Sequence, residues 1–214
     1  MIKVTKLVFN PFQVNTFVLH DETKECAIID AGCNDEAEYE ELVHFIESEG
    51  LTPVKLLNTH CHIDHIAGNA FVSKKYGLEL EAHEAGNRFI EHSTQSSEVF
   101  GLDIGETVFP GTYLDEGDRV IFGGSALDVI YTPGHADGSI CFVSHDDRFV
   151  VTGDVLFYQS IGRTDLPTGN YTLLLQKIAE KLLALDDDYT VYCGHGPDTS
   201  IGFERRSNPF LVNL

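Results

Sequence analysis

Residues 59–65 read Thr59-His60-Cys61-His62-Ile63-Asp64-His65, and three of the chain's 10 histidines fall inside them. In an extended segment the side chains at i and i+2 point the same way, so His60 and His62 can reach one metal ion. Asp64 and His65 lie just beyond, where they can turn toward a second position. Imidazole with carboxylate suits zinc, iron or manganese, and a set without cysteine argues against a closed structural zinc site.

The pattern around this loop defines its setting. VKLLN before it reads as a strand, and a helix is expected from about Ile66 to Tyr76, stopped by Gly77. Further upstream, IKVTKLVF, VNTFVLH and ECAIID are three strands rich in β-branched and aromatic residues. Asn34 or Asp35 then caps a helix with Glu36 and Glu38 in its first turn, with Leu42, Phe45 and Ile46 on its buried face and Gly50 at its end.

Downstream, LELEAH is a short strand, and residues 85–117 read as an irregular insertion able to lie over a site. RVIFGG, LDVIYT, SICFVS and RFVVTGD follow as four strands. TLLLQKIAEKLLAL is a helix, since Leu174, Ile178, Leu182 and Leu185 recur at helical spacing, and TVYCGHG is a last strand. Strands with interspersed helices in two halves point to an α/β (α+β) fold: two packed sheets with helices outside, in one domain spanning residues 1–214.

Bulk composition narrows the function. The 214 residues are 43% hydrophobic, enough for a sizeable core. Against 34 acidic residues stand 14 lysines and arginines, a formal net charge of -20. Such a surface repels phosphate backbones and anionic lipid, so neither nucleic acid nor membrane is the expected partner. The opening residues lack a secretory pattern, and the five cysteines form no CxxC pair, so a reduced cytoplasmic protein is expected.

Three more segments end a strand on a turn that carries a potential ligand: YTPGHADGS with His135, VVTGDVLF with Asp154 and VYCGHGP with His195. Small residues beside each let the backbone approach a shared centre closely. A lone histidine next to glycine is more often a turn residue; three such positions behind HxHxDH reverse those odds.

THCHIDH, TPGH, GD and GHG in this order resemble the metallo-β-lactamase superfamily over nearly the whole chain. Within it the chain most resembles the glyoxalase II (hydroxyacylglutathione hydrolase) group. SIGRTDLPTGN at 160–170 and the closing RRSNPFL are similar to its short, single-domain bacterial members. The resemblance implies a four-layer αββα sandwich with two divalent metal ions at one edge between the sheets, zinc first, iron or manganese as alternatives. It implies His60, His62 and His135 on the first ion, Asp64, His65 and His195 on the second, and Asp154 bridging. Asp64 and Asp154 would then be the catalytic carboxylates.

The resemblance implies hydrolysis of a small-molecule thioester such as S-D-lactoylglutathione. Full-length glyoxalase II enzymes add a helical C-terminal domain that binds glutathione; here nineteen residues follow His195, so no such domain is expected and the tripeptide-binding residues do not transfer. Antibiotic hydrolysis is not expected, for want of a cysteine ligand and an export signal. A mononuclear-iron persulfide dioxygenase, which shares HxHxDH and GRTD, and a lactonase or esterase of the same superfamily stay open. A metal-binding module without activity is a further alternative.

Around the ligands, Arg163 is the candidate contact for a substrate carboxylate, with an Arg163–Asp165 brace as the structural alternative. Phe157 and Tyr158 are candidate pocket residues, with core packing equally open. Cys61 and Cys193 sit inside ligand motifs but are expected to point into the core as small hydrophobes.

Overall fold

Along the second strand Phe17 and Leu19 point to one face and Val18 to the other, and all three are fully buried. A strand buried on both faces must lie between two apolar layers. The same alternation recurs in the third strand, with Cys26 and Ile28 opposite Ala27 and Ile29. It recurs again in the second half of the chain, where Cys141 and Val143 face away from Ile140 and Phe142.

The structure, a computed structural model, describes residues 1–212. Its first sheet runs β1 (Lys3–Phe9), β2 (Val14–His20), β3 (Glu25–Ile29), β4 (Thr52–Leu57), β5 (Leu80–Ala82), β6 (Pro110–Tyr113) in spatial order. The first three strands pair antiparallel, and β3 to β6 pair parallel. Parallel neighbours need crossovers. These are α1 (Glu36–Ser48), α2 (Asn69–Tyr76) and, between β5 and β6, a short turn followed by α3 (Asn87–Glu91) and α4 (Ser93–Phe100).

The second sheet opens with β7 (Arg119–Phe122), β8 (Ser125–Tyr131), β9 (Ile140–Ser144) and β10 (Phe149–Gly153), all antiparallel. A small hairpin, β11 (Leu156–Phe157) with β12 (Ser160–Ile161), then leads to α5 (Tyr171–Lys177). The chain returns through β13 (Thr190–Cys193), parallel to β10, and ends on β14 (Thr199–Ser200) and α6 (Ile201–Ser207).

Three apolar clusters fill the three gaps of an αββα sandwich. Phe17, Leu19, Ile29 and Leu57 meet Phe122, Val129, Phe142 and Val151 between the sheets. Leu42, Ile46 and Val72 cover the outer face of the first sheet, and Leu174, Ile178, Leu182 and Ile201 that of the second. Each fully buried Phe or Leu contributes roughly 1.5–3 kcal/mol relative to exposure. Among the described residues no helix is long and apolar enough to cross a membrane.

Most elements fall where the sequence puts them, with instructive differences. Asp35 is the cap of α1, its carboxylate accepting the Glu38 amide at 3.0 Å. α2 begins at Asn69 rather than Ile66, because the Gly68 amide donates to Ala31 and the preceding residues are held in turns by the ligand loop. Residues 85–117 are more ordered than an insertion: they hold α3, α4 and the edge strand β6. The 172–185 helix is α5 continued by a π-helical turn over Ile178–Leu182, where the Leu183 amide reaches back to Ile178.

The strand directions place the ligands. β4 runs parallel to β3 in the first sheet and β10 parallel to β13 in the second, and the ends of β4, β10 and β13 deliver residues 58–65, Asp154 and His195 to the same edge. The β8–β9 connection adds His135, and the Ile140 amide donates to Thr59 at 2.8 Å, tying the two sheets together there.

Candidate metal centre

All seven candidate ligands come together at this edge. The ligand atoms of His60, His62 and His135 lie within 4.8 Å of one another, and those of Asp64, His65 and His195 form a second such group. Asp154 stands between them: Oδ1 is 3.3 Å from Nε2 of His65, and Oδ2 is 3.6 Å from Nε2 of both His135 and His195. His60, His65 and His135 form a buried floor, while His62, Asp64, Asp154 and His195 are partly exposed toward the opening.

Four of the five rings are oriented through the outer nitrogen, which leaves the inner one for a ligand role. Nδ1 of His65 donates to Oδ2 of Asp30 (3.0 Å), Nδ1 of His135 to the Arg163 carbonyl (2.8 Å) and Nδ1 of His195 to the Phe12 carbonyl (2.9 Å). The Thr59 hydroxyl donates to Asp30 at 2.6 Å and so accepts from Nδ1 of His60 at 3.1 Å. His62 turns Nδ1 inward, 2.9 Å from Nε2 of His135.

Glycines make the close approach possible. A Cβ at Gly194 would run into Oδ1 of Asp154, and one at Gly153, which has φ +50, into the Thr59 hydroxyl. The small residues flanking Asp154 and His195 in the sequence are required by this geometry.

The electrostatics of the two groups differ. Burial, then the neighbouring imidazoles, holds His60 well below its ordinary pKa, and the same causes bring His62 to about 4. Burial also dominates at His135, which is lowered despite Asp154. At His65 burial is outweighed by the carboxylates of Asp154, Asp64 and Asp30, so its pKa rises well above the usual value. His195 is raised against burial by Asp64 and Asp154. Burial pushes upward on Asp154 and Asp64 too, but the imidazoles, His65 first, bring both below the ordinary carboxylate value.

These residues fit divalent cations. Nε2 of His60 and Oδ1 of Asp154 are buried without a hydrogen-bond partner, a costly state for polar atoms. The inner nitrogens of paired imidazoles also converge, as at His65 and His195, whose Nε2 atoms are 3.3 Å apart beside the carboxylates of Asp64 and Asp154. A cation bound there in place of protons would satisfy the orphaned atoms and the converging nitrogens together. The donor set is imidazole and carboxylate only, which suits zinc, iron or manganese.

The other candidates are placed as follows. Arg163 directs its side chain away to a forked pair with Asp165, at 2.8 and 2.7 Å, while its carbonyl orients His135. Phe157 flanks His195, with ring centroids 6.3 Å apart. Tyr158 stacks on Phe203 of α6. Cys61 and Cys193 are buried in the outer apolar clusters, and burial pushes both thiols up to about 12.

Two contributors escape a reading of the sequence. Asp30 is fully buried at φ +54 and accepts from the Thr59 amide, the Thr59 hydroxyl, Asn58 and His65. Phe89 packs edge-on against His62, with centroids 4.9 Å apart. The one signal for Asp30 is an acid closing an otherwise apolar strand.

Fold and site together define a metallo-hydrolase whose centre lies between two β-sheets. The pattern of the metallo-β-lactamase superfamily matches residues 9–195, and the chain belongs to that superfamily. A hydroxyacylglutathione hydrolase, GloC of Haemophilus influenzae, is 38% identical over 94% of this chain and 93% of its own. Among solved structures, the BLEG-1 B3 metallo-beta-lactamase superposes with a TM-score of 0.89 at 36% identity, covering 99% of this chain and all of its own. TTHA1623 in a di-iron-bound form superposes with a TM-score of 0.87 at 33% identity, covering 97% of this chain and all of its own.

Proposed function

We propose that the chain hydrolyses thioesters of 2-hydroxy acids, S-D-lactoylglutathione among them, to the free acid and the thiol. The observation that carries the hydrolytic reading is the pair of ligand groups on either side of Asp154. The similarity to a hydroxyacylglutathione hydrolase over nearly the full length of both chains supports the thioester class. The di-iron form of one structural neighbour supports a centre of two ions, here assigned to His60, His62, His135 and to Asp64, His65, His195.

Two divalent cations bound there would supply hydroxide near neutral pH and Lewis acidity toward a carbonyl oxygen. The protein's part is placement. Asp154 separates and aligns the two groups, and Oδ2 of Asp64, 3.3 Å from Nε2 of His195, is placed to accept a hydrogen bond from the attacking water. Asp30, Thr59 and the Arg163 and Phe12 carbonyls keep the imidazoles oriented, so little reorganisation is needed during reaction.

Attack forms a C–O bond and breaks the C–S bond, and the electron pair leaves on sulfur. A thiol pKa of about 8.5 makes that thiolate a good leaving group without a strong general acid. No buried cysteine is needed as nucleophile, since both thiols in the ligand motifs are held protonated. An alkoxide or amide leaving group is more basic, which places lactones, esters and β-lactams below thioesters as substrates.

The test is turnover of S-D-lactoylglutathione by purified protein under anaerobic conditions, before and after chelation. Turnover abolished by chelation and restored by zinc, iron or manganese is expected, with a β-lactam turned over far more slowly. Absence of turnover by fully metal-loaded protein would overturn the substrate, and oxygen uptake with glutathione persulfide by a one-iron form would replace hydrolysis with dioxygenation.

A further inference from the structure

The tight turn between β1 and β2, residues 10–13, hydrogen-bonds to the cluster at Asp64 and His195. Asn10 is its hub. It is 7% exposed and has φ +53, a left-handed conformation that asparagine tolerates better than most residues. Its Nδ2 donates to the carbonyls of Gly32 (2.8 Å) and Asp64 (3.0 Å), and its Oδ1 accepts the Phe12 amide at 2.9 Å. Phe12 in turn offers the carbonyl that orients His195.

The hub is itself anchored. The Asn10 amide donates to Oε1 of Glu38 at 2.7 Å, and Oε2 of the same carboxylate takes the Asn34 amide at 2.7 Å. One side chain thus ties the backbone of one second-group ligand and, through Phe12, the ring of another to the start of α1. Among the described residues no hydrogen bond links this turn to His60, His62 or His135, which are held by Thr59, by Arg163 and by each other.

We infer that Asn10 is a positioning residue for one half of the centre: it sets the geometry of the Asp64–His65–His195 group and leaves the His60–His62–His135 group alone. This rests on the two-cation reading of the site and is independent of the substrate. Losing an outer partner of a metal ligand typically costs 10–100-fold in metal affinity, and here the loss should fall on the second equivalent only.

Two variants keep the fold. Asn10→Gly removes the side chain at a φ that glycine adopts freely, and Asn10→Asp preserves shape and the acceptor while losing both N–H donors. Metal-free wild type and variants would be titrated with Co2+, followed by visible absorption and by calorimetry, with thermal melting to check folding. Wild type should take up two equivalents. Both variants should take the first with wild-type affinity and bind the second at least about tenfold more weakly. Two equivalents bound by the variants as tightly as by wild type, or both weakened alike, would overturn the inference alone. A wild type that binds one equivalent would overturn the two-cation reading and the inference with it.

Discussion

The sandwich is closed by polar clasps at both ends, and the two are built on opposite principles. At the end away from the ligands, Asp21 in the turn after β2 accepts from the amide and hydroxyl of Thr23, the Gly124 amide and the Ser125 hydroxyl, all within 2.9 Å. That carboxylate joins the β2–β3 turn to the β7–β8 turn and has nothing left unsatisfied. At the ligand end Asp154 is partly exposed, but its Oδ1 is buried without a hydrogen-bond partner and three imidazoles face the carboxylate. Asp30, four-fold hydrogen-bonded, shows that the ligand end can saturate a carboxylate where orientation is the task. A saturated carboxylate stabilises the fold; an under-satisfied one among imidazoles is a place for a cation.

The contrast breaks most readily at Asp154. Asn keeps the shape but offers one oxygen and an amide, so it cannot serve both groups. We expect Asp154→Asn to lower kcat/KM for a thioester by about 1,000-fold or more, equivalent to about 4 kcal/mol. Metal analysis should show the loss of at least one equivalent. A variant that keeps a tenth of the wild-type kcat/KM with both ions bound would remove Asp154 from the centre.

The corresponding change at the other end should touch stability alone. Asp21→Asn replaces a charged acceptor of four part-buried hydrogen bonds by a single neutral oxygen and an N–H donor, a loss of about 1–3 kcal/mol in unfolding free energy. Burial presses the Asp21 pKa upward, but the hydrogen bonds from Thr23, Ser125 and Gly124 together bring it from 3.8 down to about 2. A pKa depressed in the folded state gives stability that is fully present above the unfolded value and is lost as pH falls through the folded one. Urea unfolding of wild type and variant should therefore differ most near neutrality and converge as the pH drops from about 4 to about 2. A pH-independent gap would mean that the ionised carboxylate is not the source of the effect. The kcat of the loaded enzyme should be unchanged.

The same division explains what the sequence discloses. HxHxDH, His135, Asp154 and His195 are visible because ligand chemistry is written in residue type and each lies beside glycine or another ligand. The layers are visible too, since β2, β3 and β9 alternate while remaining apolar on both faces. Asp30 and Asn10 are not. Their roles rest on left-handed backbone at the ends of strands and on partners far along the chain: Thr59 lies 29 residues from Asp30, and Asp64 lies 54 from Asn10. α3 has 5 residues and β14 has 2, too few for a periodicity to show. Position along the chain cannot show which aspartates will find four donors and which will not; only the fold brings those donors together.

Arg163 condenses the contrast into one residue and carries the smallest expected effect. Its carbonyl belongs to the centre through His135, whereas its guanidinium is 61% exposed on Asp165. Solvent screens an exposed pair of this kind, so a substrate carboxylate could displace Asp165 at little cost. Arg163→Ala preserves the carbonyl, and with it the orientation of His135. The expected result is an unchanged kcat with a KM for an anionic thioester raised by roughly several fold. Asp165→Asn, which frees the guanidinium, should move KM the other way. A kcat that falls with KM constant would mean that the pair braces the loop behind His135, and the side chain would then belong to the scaffold with Asp21 rather than to the substrate.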